Sequence, residues 1–188
     1  MARIDVALRD LGDQLGQRPG WRPQHAGPSV HEDVDWDHCL AVLGAGHGRL
    51  HEWASATAAA IAAELAAIGA EALPLTLVHG DFAAWNVHYL DGELAGAIDF
   101  GLSHLDSRPC ELAIARAHRS PETTDAYTAE LAALGWPLTD LEQAAIGPVQ
   151  RAFRLSMTAW VIDEARDGTP LDVAMIECQL QLAGVPPP

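Results

Sequence analysis

Over most of the chain apolar residues recur every three to four positions, the rhythm of helices buried on one face, and a single central stretch breaks it. Ile4, Ala7, Leu8, Leu11 and Leu15 predict a helix over 1–15. The segment 35–50 predicts a second, broken at the glycine group 44–48. A third over 51–69 is Ala-rich, with Ile61, Leu65 and Ile68 on its buried face and Gly69 as its C-cap. Beyond the centre, 109–119 predicts a helix, and Ser120-Pro121 starts another that stops at Gly135. Thr139 followed by Glu142 has the form of a capping box and opens a long helix to about Ala165, bent near Gly147-Pro148. A last helix covers 170–182. The segment 17–34, rich in Pro and Gly, reads as a loop that lines a cleft or merely connects. Trp21, Trp36, Trp53, Trp136 and Trp160 read as core residues.

The central stretch has the alternation of strands. Leu75-Thr76-Leu77-Val78 delivers His79-Gly80-Asp81 to a strand end, and a second strand begins after Asn86. Asp91-Gly92 is a strong signal for a two-residue hairpin turn, because Gly accepts φ > 0 without steric cost. Counting back from that turn, Leu90 faces Glu93 and Asn86 faces Ala97, so Asp99 emerges at the same end as Asn86. Asp81 reaches that end through the loop 82–85. Three oxygen-bearing side chains are thus expected to converge. Mg²⁺ prefers oxygen ligands, and Asn86 with Asp99 offers one neutral and one charged ligand. Asp81 is then free to orient a hydroxyl and accept its proton. Asp106 reads first as a turn-stabilising residue, with metal or substrate binding as the alternative.

Composition changes the picture in three ways. The formal net charge of −15 argues against a nucleic-acid or anionic-membrane surface and leans toward a cationic partner. No apolar run approaches the length of a membrane span and no signal-like segment opens the chain, so a cytoplasmic location is expected. Cys39, Cys110 and Cys178 are scattered and read as reduced thiols.

The pattern H-x-D-x-x-x-x-N, here His79, Asp81 and Asn86, followed by a hairpin and Asp99-Phe100-Gly101, is similar to the protein-kinase catalytic pattern. Gly80 and the segment 106–113 make the stretch Leu77 to Ala113 resemble the aminoglycoside phosphotransferase and choline kinase family, small-molecule kinases with the kinase-like fold. The order of elements fits along the whole chain; the motif itself lies only in that stretch. The resemblance implies an α+β, mostly α fold: the C-terminal lobe of a phosphotransferase, helices around a small β-hairpin, with the N-terminal ATP-binding lobe absent. Within one unit, 1–74 would be a helical part containing the 17–34 loop, 75–113 the catalytic loop and metal-binding hairpin, and 114–188 a helical acceptor-side part. It also implies transfer of the γ-phosphoryl of ATP or GTP, with Mg²⁺, to a small-molecule hydroxyl. His79 would organise the loop backbone, and Glu111 would bond structurally to it.

The resemblance leaves the acceptor open, since relatives serve aminoglycosides, macrolides, choline, amino-acid alcohols and sugars. Trp85, Asp163 and Asp167 are the candidates for contacting it. All 11 basic residues are Arg, so the Lys and Gly-rich loop that ordinarily hold nucleotide phosphates are missing. The first helix resembles the one after the hinge in this family, so the chain is expected to start mid-domain, as a fragment or a product without its ATP-binding lobe, and to be impaired alone. Two alternatives belong to other classes. One is a non-catalytic module that binds a small molecule or a partner, as a homodimer or with a chain supplying the missing lobe. The other is a Zn²⁺ hydrolase using His79, Asp81, His88 and Asp99.

Overall fold

A computed structural model of the chain, described over residues 1–12, 14–117, 122–165 and 169–187, is an α+β, mostly helical fold. Helix α1 (Ala2–Gly12) is followed by α2 (Trp36–Gly46) and α3 (Gly48–Ala67). The short strands β1 (Thr76–Val78), β2 (Val87–Leu90), β3 (Glu93–Ala97) and β4 (His104–Asp106) come next. The chain then runs through α4 (Arg108–Ala117), α5 (Glu122–Ala133), α6 (Asp140–Glu164) and α7 (Val173–Leu182). The expected helix start at Ser120-Pro121 lies outside the described residues.

The predicted helices form, but α1 ends at Gly12 short of Leu15, and α7 begins at Val173 behind its cap Asp172 and not at Pro170. The glycine group separates α2 from α3 at His47, and Gly69 caps the end of α3 at φ 70°. Thr139 and Glu142 close the capping box of α6 reciprocally, which satisfies two backbone donors of its first turn. Helix α6 is the hub. Its residues Ala145, Val149, Ala152, Leu155, Ala159 and Ile162 are buried against α2, α3, α4 and α7 in the main core. Each fully buried Leu or Ile there contributes about 1.5–3 kcal/mol.

Residues 108–115 of helix α4 are all buried, and each side meets something different. Cys110 and Ile114 join the main core, Leu112 packs with Tyr127 and Leu131 of α5, and Ala115 sits under Phe82 and Val87. Its first residue, Arg108, is pinned at four points. The guanidinium donates twice to Glu142, once from Nε at 2.7 Å, and also to the carbonyls of Trp136 and Pro137. The Trp136 ring covers it at 4.1 Å. Losing one partner of such a buried pair leaves an unpaired charge and costs about 3–5 kcal/mol.

Two antiparallel pairs of strands carry the centre. The Asp91-Gly92 turn has φ of 52° and 83°, the signature of a type I′ loop, and sets Leu90 opposite Glu93 as expected. Further along, a β-bulge corrects the predicted register. Tyr89 faces Leu94, yet His88 faces Gly96 and Val87 faces Ala97, so Ala95 is the extra residue. Asn86 therefore faces Ile98, whose N–H donates to the Asn86 carbonyl at 3.0 Å, and not Ala97. The slip brings Asp99 one residue nearer to Asn86. The second pair, β1 with β4, was not expected, because His104-Leu105-Asp106 is short and polar and reads as a turn.

Asp5 of α1 tests how the polar groups are buried. Its carboxylate accepts the Tyr127 hydroxyl at 2.6 Å, and burial raises its pKa to about 6 against the opposing pull of Tyr127 and Arg108. A raised carboxyl stabilises the fold while protonated. The contribution is full below the unfolded value of 3.8 and is lost as pH rises through about 6. In Asp5→Asn, stability measured by denaturant between pH 4 and pH 7 is expected to lose that slope and to exceed the parent at pH 7 by up to about 3 kcal/mol.

Candidate active site

The site is built from one tight backbone turn. Gly80 sits at φ 80°, and a Cβ there would lie 2.1 Å from the Leu102 carbonyl oxygen, so no side chain fits. Its half-buried N–H donates to Glu111 Oε2 of α4 at 3.1 Å. Burial, together with the Asp5 carboxylate, holds Glu111 well above the usual carboxylate range, against the pull of the Gly80 amide.

His79, fully buried, uses both ring nitrogens. Nδ1 accepts the Asp81 N–H at 3.2 Å, so the proton is on Nε2, which donates to the Ile98 carbonyl at 2.8 Å. The His79 ring lies against Phe100 at 4.5 Å and edge-on to Phe82 at 5.7 Å. Its own carbonyl accepts the Ser103 hydroxyl at 3.1 Å. One histidine thereby ties the loop, the end of β3 and the Asp99-Phe100-Gly101 turn together.

Asp81 is half-buried, and Asn86 is 5% exposed. The Asn86 amide donates to the Asp81 carbonyl at 2.9 Å and to Asp81 Oδ2 at 2.8 Å. With its NH₂ group committed to Asp81, Asn86 keeps its side-chain oxygen, and Asp81 keeps its second carboxylate oxygen. Asp99 is exposed and adopts φ 61°, ψ 64°, a left-handed conformation that costs a non-Gly residue about 1–3 kcal/mol. Its Oδ1 receives the Gly101 N–H at 3.4 Å. The structure thus brings Asp81, Asn86 and Asp99 to one end of the hairpin, with His79 and Glu111 behind them.

A cavity of about 390 Å³ opens beside Asp81. It is lined by Gly80, Asp81 and Trp85, by Trp21, Gln24 and His31 from the Pro/Gly-rich segment, and by Phe153, Met157 and Trp160 of α6. The 17–34 loop therefore lines the cleft. Its Arg18 donates to the Gly101 carbonyl and lies 4.8 Å over the Trp21 ring. A larger, mostly apolar cavity of about 610 Å³ between α3 and the 25–28 turn is lined by none of the motif residues.

Several expectations need correction. Trp160 is 46% exposed and lines the cleft, so it is no core residue, and the buried Trp21 lines it too. Trp85 is 63% exposed and lines the same cavity, whereas Asp163 ends α6 and does not line it. Asp167 lies outside the described residues. The zinc set does not assemble: His88 is exposed on β2, both His79 nitrogens are occupied, and the four residues form no metal-ligand group among the described residues. Sequence reasoning missed Trp21, Gln24, His31 and Arg18, since nothing local marks a loop residue that lands against a distant turn.

No curated protein matches the chain in sequence. A crystal structure of a choline/ethanolamine kinase family protein from Mesorhizobium loti superposes with a TM-score of 0.60 at 18% identity. The match covers 98% of this chain and 62% of that one, so the present chain spans less than two thirds of its neighbour's length. At that identity the likeness is one of fold. No described helix is long and apolar enough to cross a membrane. The model of the phosphotransferase enzyme family matches residues 1–148, most of the chain, and the chain belongs to that family.

Proposed function

We propose that the chain is the catalytic and acceptor-binding part of a phosphotransferase that moves the γ-phosphoryl of ATP or GTP to a hydroxyl of a small molecule. The observation that carries this reading is the Asn86 amide clamped on Asp81 beside an aromatic cavity, with Asp99 at the same hairpin end. Asp81 accepts the proton of the attacking hydroxyl on its free oxygen. General-base assistance of this kind contributes about 10²–10⁴-fold. The oxygens of Asn86 and Asp99 suit Mg²⁺, and both would hold it. Bound with the nucleotide, the metal would neutralise charge on the transferring group. His79 and Glu111 hold the loop in place and touch no substrate.

The cavity lining favours an acceptor that carries a cationic amine as well as its hydroxyl. Trp21, Trp85 and Trp160 line the cavity together with Asp81, and the chain bears a net charge of −15. The nucleotide phosphates are served less well. The chain has no Lys, and we infer that transfer by this chain alone is slow. The fold neighbour's greater length fits a role as the C-terminal lobe of the kinase-like fold.

Two measurements test the reading. Calorimetric titration with MgATP is expected to show binding that weakens at least about tenfold in Asp99→Ala. Equal binding by both, or none by the parent, contradicts it. In a phosphoryl-transfer assay over a panel of hydroxylated amines, Asp81→Asn is expected to keep the MgATP affinity and lose about 10²–10⁴-fold in kcat. Retained turnover in that variant would remove Asp81 from the chemistry.

A further inference from the structure

His104, Asp106 and Cys110 form a second cluster, separate from Asp81, Asn86 and Asp99. All three are at most 2% exposed, and one ligand atom from each lies within 4.8 Å of the others. Two elements bring them together. His104 and Asp106 stand two residues apart on β4 and so share a face, and Cys110 follows in the first turn of α4.

Hydrogen counting exposes a conflict in this cluster. His104 Nδ1 lies 2.9 Å from the Leu102 carbonyl, which can only accept, so Nδ1 carries a proton. In the neutral ring Nε2 is then a bare lone pair. Yet Nε2 points at Asp106 Oδ2 from 3.2 Å, and that oxygen already accepts the Gln24 N–H at 2.7 Å. The other Asp106 oxygen accepts from Ser107, through N–H at 2.6 Å and through the hydroxyl at 3.3 Å. Two acceptors thus face one another inside the protein. Either a further proton is shared between them, on the ring or on the Asp106 carboxyl, or a cation sits between them.

The third donor decides in favour of the cation. From Zn–ligand distances of about 2.0–2.1 Å to N and O, two tetrahedral ligands stand about 3.3 Å apart, close to the observed 3.2 Å. A sulfur ligand would stand about 3.5 Å from either, within reach of a small movement of Cys110. Imidazole, carboxylate and thiolate together suit a borderline-soft divalent ion, and the two anionic ligands would cancel its charge in a buried place. His104 and Cys110 both line the acceptor cavity, alongside Gly80 and Asp81. We propose that His104, Asp106 and Cys110 bind one zinc-class divalent cation, whose fourth position faces that cavity. The ion would fasten β4 to α4 one residue before Glu111, and so brace the Gly80 turn. Mg²⁺ is excluded from this site by the thiolate and imidazole donors.

The test uses the full chain carrying Cys178→Ser, which removes the exposed thiol, after metal has been stripped with a chelator. Cobalt(II) is titrated in while absorbance is read for tetrahedral d–d bands and a thiolate-to-cobalt charge-transfer band. One equivalent is expected to bring up both, unchanged in Asp99→Ala and lost in Cys110→Ser. Zn²⁺ is expected to raise the melting temperature of the parent and of Asp99→Ala but not of His104→Gln. The proposal is overturned if cobalt gives no thiolate band, which would leave a metal-free His104–Asp106 pair sharing a proton. It is equally overturned if the band survives Cys110→Ser or if Zn²⁺ stabilises His104→Gln as much as the parent. Failure of the phosphotransfer reading leaves this result untouched, because no readout depends on nucleotide or turnover.

Discussion

The bond from the Gly80 amide to Glu111 Oε2 is the contact on which the rest of the site depends. Gly80 is pressed so closely on Leu102 that its backbone admits no side chain, and its half-buried N–H calls for an acceptor. Glu111 supplies one from a helix that cannot shift, because α4 is enclosed by α1, α5, α6 and the loop and is pinned through Arg108 to the cap of α6. From that anchor, order passes along the chain in short steps. His79 is held beside Gly80, its Nε2 holds Ile98, and Ile98 is followed by Asp99. On the other side of Gly80, Asp81 holds Asn86. Three functional oxygens on three segments are thereby positioned from one helix.

The cost of this arrangement is electrostatic. Asp5, Asp106, Glu111 and Glu142 are all buried, while Arg108 is the one buried arginine among the described residues. Glu142 receives it, and the others manage by different means. Asp5 and Glu111 are shifted upward by burial, and Asp106 gathers hydrogen bonds from Gln24 and Ser107 and faces His104. Strain at Asp99 adds to the cost, since a non-Gly residue is held at positive φ where only the surrounding turn can enforce it. Such local expense is what a fold accumulates around a working site.

Much of this was legible in the sequence where the cause is local. The helices follow from apolar spacing, the start of α6 from Thr139 and Glu142, the end of α3 from Gly69, and the hairpin from Asp91-Gly92. The grouping of Asp81, Asn86 and Asp99 follows from the turn and from the direction of the strands. What was not legible depends on distant partners. The bulge at Ala95 shifted the register, because counting along a strand assumes that no residue is extra. Strand β4 is invisible without β1 beside it. Trp160 has the spacing of a core residue and lines a cleft instead, since helical spacing marks a face without saying what that face meets. Gly80 could be seen as part of a motif, but its reason, the Leu102 carbonyl, lies more than 20 residues away.

In the proposed reading Asn86 and Asp99 form one cation-binding place at the hairpin end, beside Asp81. Paramagnetic broadening by Mn²⁺, added in place of Mg²⁺ to isotopically labelled chain, tests it without nucleotide or turnover. The Asn86 side-chain amide and the backbone signals of Asp99 and Phe100 are expected to broaden first, with α5 and α7 unaffected. Broadening that is uniform over the acidic surface, or that spares Asn86 and Asp99, would contradict it.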